Sequence, residues 1–88
     1  MTNMICKVCG FHYENYYPWG EDGKTPTYDI CVCCGVEFGF DDDDMAGMGI
    51  LAYRLKWINE DANFHVASAR PENWILEEQL RNIPEEFI

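Results

Sequence analysis

A chain of 88 residues has room for one small domain with a modest core, the kind of fold that gains from a metal staple. Its 48% hydrophobic and 15% aromatic content excludes wholesale disorder, and no apolar run approaches the roughly 20 residues of a membrane span. Sixteen acidic residues against six basic ones give a net charge of −10, the wrong sign for gripping nucleic acid by its phosphates.

Residues 1–10 read as a short strand entering the stretch Cys6-Lys7-Val8-Cys9-Gly10. With Cys6 so early there is no room for a signal peptide, which predicts a cytoplasmic protein with reduced thiols. The aromatic run from Phe11 to Trp19 suits a strand leaving this stretch. Residues 20–26 form a loop by composition, with Gly20, Gly23 and Pro26. Thr27-Tyr28-Asp29-Ile30 alternates and leads as a strand into Cys31-Val32-Cys33-Cys34-Gly35. Val36-Glu37-Phe38-Gly39-Phe40 alternates again on the way out.

Asp41 to Asp44 read as a helix N-terminus, where carboxylates cap orphan N–H groups. A calcium loop would need regular alternation and a distal bidentate Glu, and neither is present. A helix is expected from about Met48 to Glu60, with Met48, Leu51, Ala52, Leu55 and Ile58 as its apolar stripe. Residues 61–70 look like a loop anchored by Phe64 and Val66. A second helix is expected to open at Pro71 and run to about Asn82, with Trp74, Leu76, Leu80 and Ile83 on one face and Pro84 ending it. There is no repeat, no low-complexity tract beyond the four Asp, and no clear linker.

The chemistry lies in the cysteines. Each pair is a C-x-x-C step closed by glycine, so two thiolates share one tight turn and point at one ion. Two such turns supply the tetrahedral set that zinc accepts. The glycine suits a positive φ or a close backbone approach, with N–H groups aimed at sulfur. The expected ligands are Cys6, Cys9, Cys31 and Cys34. Cys31 with Cys34 reproduces the spacing and glycine of the first pair, while Cys31 with Cys33 is one residue too short. Cys33 is therefore read as a non-ligand, either a buried small apolar residue or a redox-responsive neighbour.

Four sulfurs close the shell, whereas a catalytic zinc keeps an open position. A thioredoxin-type pair would sit at a helix N-terminus, and both pairs here lie between strand-like runs. His12 and His65 lack ligand spacing to either pair and read as ordinary histidines. No enzymatic activity is expected. The ion is read as Zn2+, with iron as the alternative, because softness and geometry do not separate them at four thiolates. With iron the site resembles rubredoxin, a one-electron carrier. The spacing between pairs is shorter than usual there, and the C-terminal half has no rubredoxin counterpart.

The run from Pro26 to Asp42, with Arg54-Leu55-Lys56-Trp57-Ile58, Arg70-Pro71-Glu72-Asn73-Trp74, Gln79-Leu80 and Ile83-Pro84, resembles the bacterial cysteine-rich CPCC-type zinc-ribbon proteins. Lys7 and Val32 stand where proline is common in that family. The resemblance implies zinc at Cys6, Cys9, Cys31 and Cys34, and a packing or contact role for Arg54, Trp57, Trp74 and Gln79.

These readings together predict an α+β fold over residues 1–88. Residues 1–44 would form a zinc-ribbon or rubredoxin-like β knuckle pair, and residues 45–88 would pack two α-helices behind it. Trp57 and Trp74 would join the helices to the ribbon. The expected function is a small zinc-binding protein with a structural four-cysteine site, acting as an interaction module for a protein partner of basic character, without membrane or nucleic acid. The alternative is a rubredoxin-like iron electron-transfer protein.

Overall fold

The computed structural model describes residues 4–88, so the first three residues of the expected opening strand lie outside it. The chain is organised by two matching turns. In the first, Ile5 and His12 form one antiparallel bridge, the Cys6 N–H donates to the Phe11 carbonyl at 3.0 Å, and the Gly10 N–H donates to the Cys6 carbonyl at 2.9 Å. The second repeats each feature 25 residues later: an Ile30–Glu37 bridge, Cys31 N–H to the Val36 carbonyl at 2.8 Å, and Gly35 N–H to the Cys31 carbonyl at 3.0 Å. Gly10 and Gly35 close the turns at φ +83° and +81°, in the left-handed region where a Cβ is costly.

The β knuckle pair is a correction. Among the described residues neither turn grows beyond its single bridge and no sheet forms, so the expected α+β zinc-ribbon or rubredoxin-like architecture is not what the chain builds. The cause is local. Asn15 (φ 55°) and Tyr28 (φ 64°) are left-handed inside the runs expected to be strands, and Gly39 (φ 92°) turns the exit from the second pair. Extended pairing stops there. Loop bonds take over, such as Thr27 N–H to the Pro18 carbonyl at 3.0 Å.

The helices are shorter than their sequence pattern. The first, α1 (Ile50–Asn59), begins after Gly49, whose φ of 92° is incompatible with a helix starting at Met48. Its inward face is Ile50, Tyr53, Arg54, Trp57 and Ile58, a helical stripe of its own. Of the expected stripe only Ile58 lies on this face; Met48, Leu51, Ala52 and Leu55 point outward. The second, α2 (Leu76–Leu80), is barely more than one turn. Asn73 at φ 59° prevents any helix from starting at Pro71. Short 3-10 turns lie at Ala67–Ala69 and Glu85–Phe87.

The aspartate run caps turns rather than a helix. Asp41 accepts from the Glu37 N–H at 3.0 Å, Asp42 from the Gly39 N–H at 2.8 Å, and Asp43 from the Ala46 N–H at 2.7 Å. No side chain caps α1. The core is the two turns themselves: Cys6, Val8, Cys9, Cys31, Cys33, Val36 and Phe38 are buried, with Trp57 and Ala62 closing over them. Edge-to-face aromatic contacts surround it, including Phe11–Tyr13 at 4.8 Å, Phe64–Trp74 at 5.1 Å and Trp57–Trp74 at 6.5 Å.

Candidate metal centre

The repeated turns bring the four expected cysteines together. The sulfurs of Cys6, Cys9, Cys31 and Cys34 all lie within 4.8 Å of one another. Two of the distances, Cys6–Cys34 and Cys9–Cys31, are 3.8 Å. A tetrahedron of sulfurs about 2.3 Å from a central ion has edges of about 3.8 Å. All four residues are buried. The set fits one four-coordinate thiophilic ion, and its geometry suits zinc and iron alike.

Cys33 is outside this set. It occupies the position that Val8 holds in the first turn, and both are fully buried. Its sulfur accepts from the Gln79 side-chain amide at 3.3 Å, and its carbonyl accepts from the His65 N–H at 2.9 Å. His65 therefore meets the second turn through its backbone. His12 sits at the mouth of the first turn, and neither imidazole joins the cluster.

The surrounding donors satisfy what the turns leave open. In the first turn, Arg54 donates to the Val8 carbonyl at 2.6 Å and to the Lys7 carbonyl at 2.9 Å. Gln79 donates to the Cys9 carbonyl at 3.0 Å and Asn82 to the Gly10 carbonyl at 3.1 Å. In the second turn, the N–H groups of His65 and Val66 serve the Cys33 and Val32 carbonyls, each at 2.9 Å. The guanidinium of Arg54 thus does for one turn what two backbone amides do for the other. The Trp57 indole donates to the Asn63 carbonyl at 2.9 Å, and the Trp74 indole to Gln79 at 2.7 Å. Both tryptophans pack the helices onto the cysteine turns.

Tyr13 was not singled out by sequence reasoning. Its hydroxyl donates to the Cys31 sulfur at 3.3 Å and accepts from the Val32 N–H at 3.0 Å, reaching from one turn to the other. A usable signal existed: Tyr13 stands at the repeat position of Phe38, so one turn carries a hydroxyl where the other carries none.

The electrostatics are those of buried thiols sharing charge. Burial pushes the Cys9 and Cys34 thiols well up, and hydrogen bonds among the thiols add to the shift. Burial also opposes charge on Cys31, but hydrogen bonds involving Cys34, Cys6, Cys9 and Tyr13 outweigh it and hold that thiol well below its usual value. Burial lowers the Arg54 pKa, while the charge of Cys6, Cys9 and Cys34 works the other way. Four bare thiolates cannot coexist in this volume, so the sulfurs must hold either protons or a cation.

Two proteins of Bacillus subtilis (strain 168) are similar to this chain. The uncharacterized protein YozI is 30% identical over 90 residues, covering 88% of this chain and 69% of its own length. The uncharacterized protein YoaQ is 28% identical over 89 residues, covering 88% of this chain and 70% of its own length. No family model matches the chain, which leaves the likeness to CPCC-type proteins resting on its motifs alone. No solved structure matches it either. Among the described residues no helix is long and apolar enough to cross a membrane. At this identity and coverage, the chain belongs to the same family as YozI of Bacillus subtilis.

Proposed function

We propose that this protein is a small structural zinc protein of the cytoplasm, whose Cys6, Cys9, Cys31 and Cys34 hold one Zn2+ and so fix a surface for a protein partner. The observation that carries the reading is the buried four-sulfur set with its 3.8 Å separations. A closed shell offers no position for substrate, so the ion serves folding rather than catalysis, contributing on the order of 10 kcal/mol. Four thiolates and one divalent ion take the charge from −10 to about −12, which favours a basic partner over nucleic acid or an anionic membrane. Arg54 and Gln79 tie the helical half to the cysteine half, which supports a single domain.

The test is elemental analysis of protein purified without oxygen from cells supplied with both zinc and iron. One zinc per chain without colour is the expected result. One iron with thiolate charge-transfer bands would replace it with the electron-transfer reading. No metal would overturn both. Cys31→Ser should empty the site, while Cys33→Ser should leave about one ion per chain, as a tetrahedral set of four cysteines requires.

A further inference from the structure

We propose that the outward face of α1, together with the 3-10 turn Glu85–Phe87, docks a cationic amphipathic helix of a partner protein. The inference deepens the interaction-module reading above and rests on it. Because Ile50, Tyr53 and Trp57 face the cysteine core, α1 has a second apolar row that no other described residue covers. Met48, Leu51 and Leu55 are 49%, 55% and 61% exposed, and Met45 just before the helix is 95% exposed. Leu51 and Leu55, one turn apart on α1, form the ridge that another helix packs against, and Met48, which precedes the helix beyond Gly49, adapts such a surface to a partner.

Beside this row is a cleft of about 420 Å³ between α1 and the C-terminal turn. Met48, Leu51 and Phe87 supply apolar walls, while Asp42, Asp44 and Glu86 supply carboxylates. Among the described residues no basic side chain lines it. Two cations lie beneath: Arg54, which donates to the Phe87 carbonyl at 2.7 Å, and Lys7, held over the rings of Trp19 at 3.8 Å and Phe87 at 4.7 Å, where it offsets part of the charge of Asp42 and Glu86. The chain as a whole remains at −10. A second copy would bring the same acidic rim and the same net charge, so like-charge repulsion opposes it. Nucleic acid and anionic lipid carry the same wrong sign. An apolar ridge with an acidic rim is complementary to a helix that carries leucine on one face and lysine or arginine beside it.

The experiment uses metal-loaded protein and a labelled synthetic helix of about 18 residues, or five turns, with leucine at helical spacing and lysine elsewhere. Two companions replace the lysines by glutamate, or the leucines by glutamine. The first peptide alone should bind, and more weakly as salt rises. Leu51→Glu should weaken binding by about tenfold or more, although it adds negative charge that would strengthen attraction of charge alone. Met48→Ser, a gentler change, should act in the same direction. Asp44→Asn with Glu86→Gln should flatten the salt dependence.

Equal binding of the leucine-free peptide would overturn the proposal, as would indifference to Leu51→Glu. So would a concentration-dependent dimer that Leu51→Glu dissolves, which would make a second copy the occupant. Metal content and melting are read on the same samples. Folded, metal-bearing protein that binds no peptide overturns the docking surface alone. Protein that folds without metal overturns the structural-site reading instead.

Discussion

The side-chain amide of Gln79 donates to the carbonyl of Cys9 at 3.0 Å, joining residues 70 positions apart in the chain. The same nitrogen reaches the Cys33 sulfur at 3.3 Å, and the amide oxygen accepts the Trp74 indole at 2.7 Å. A buried amide with both ends occupied links α2 to the first cysteine turn and to the fifth thiol. Its worth lies in what its loss would strand.

Gln79→Leu should therefore destabilise the fold by about 2 to 4 kcal/mol, since the Cys9 carbonyl and the Trp74 N–H lose their partners inside the core. Metal per chain should stay unchanged, because no ligand is touched. Urea unfolding with parallel metal analysis decides it. A change under about 0.5 kcal/mol would mean that water replaces the amide without loss.

The two turns offer an internal comparison at their glycines. A Cβ on Gly10 would collide with the Gln79 carbonyl oxygen, whereas on Gly35 its nearest neighbour is His65 at 3.6 Å. Both positions carry the same left-handed cost, about 1 to 2 kcal/mol for alanine. Gly35→Ala should lose only that amount. Gly10→Ala should lose clearly more, because α2 must move away from the turn. Thermal melting of the two variants side by side checks the difference, and equal losses would show that α2 yields freely.

Tyr13→Phe removes one hydroxyl and keeps the ring packed against Phe11. The Val32 N–H then loses its acceptor and the Cys31 sulfur loses a donor. We expect about 1 to 2 kcal/mol of destabilisation and roughly tenfold weaker metal binding, as for other groups that hold a ligand from behind. Competition against a chromophoric chelator measures the second number. Unaltered affinity would restrict Tyr13 to packing.

Metal binding should weaken as pH falls. Burial raises the Cys9 and Cys34 thiols, so an incoming ion must displace at least their two protons near neutrality. Affinity should then drop by about a hundredfold per pH unit or more. The metal-free fold has the opposite trend from these two groups. Their folded pKa lies above the unfolded one, so the stability they contribute is present below the ordinary thiol pKa and lost as pH rises through the folded value. Cys31, held low, works in the contrary direction, contributing above the ordinary thiol pKa and losing that share as pH falls. Chelator titrations across about one pH unit test the first statement, and a slope near zero would refute it.

The meeting of the four cysteines was legible because its information is local. Two C-x-x-C-G stretches dictate two alike turns, and glycine at φ near +80° closes each one. The exclusion of Cys33 was legible for the same reason, since spacing alone places it at the position of Val8. The face of α1 was not. Counting aliphatic residues selects Met48, Leu51 and Leu55, yet the inward stripe contains half-buried Arg54, whose guanidinium is occupied by the Lys7, Val8 and Phe87 carbonyls. A charged residue scores as surface until its acceptors are known.

The strands and the second helix failed for a related reason. The aromatic run Phe11–Trp19 and the alternation in Thr27–Ile30 look extended, but left-handed Asn15 and Tyr28 bend the runs, and Asn73 does the same after Pro71. Asparagine tolerates that region through its own short polar side chain, so it signals a turn only weakly, and tyrosine gives no signal. Which four sulfurs meet is written locally in the chain, because cysteine spacing within a turn is set by a handful of bonds. Long-range packing settles which face of α1 is covered, how Tyr13, Arg54 and Gln79 brace the turns, and that no sheet forms among the described residues, because those outcomes depend on partners distant in the chain.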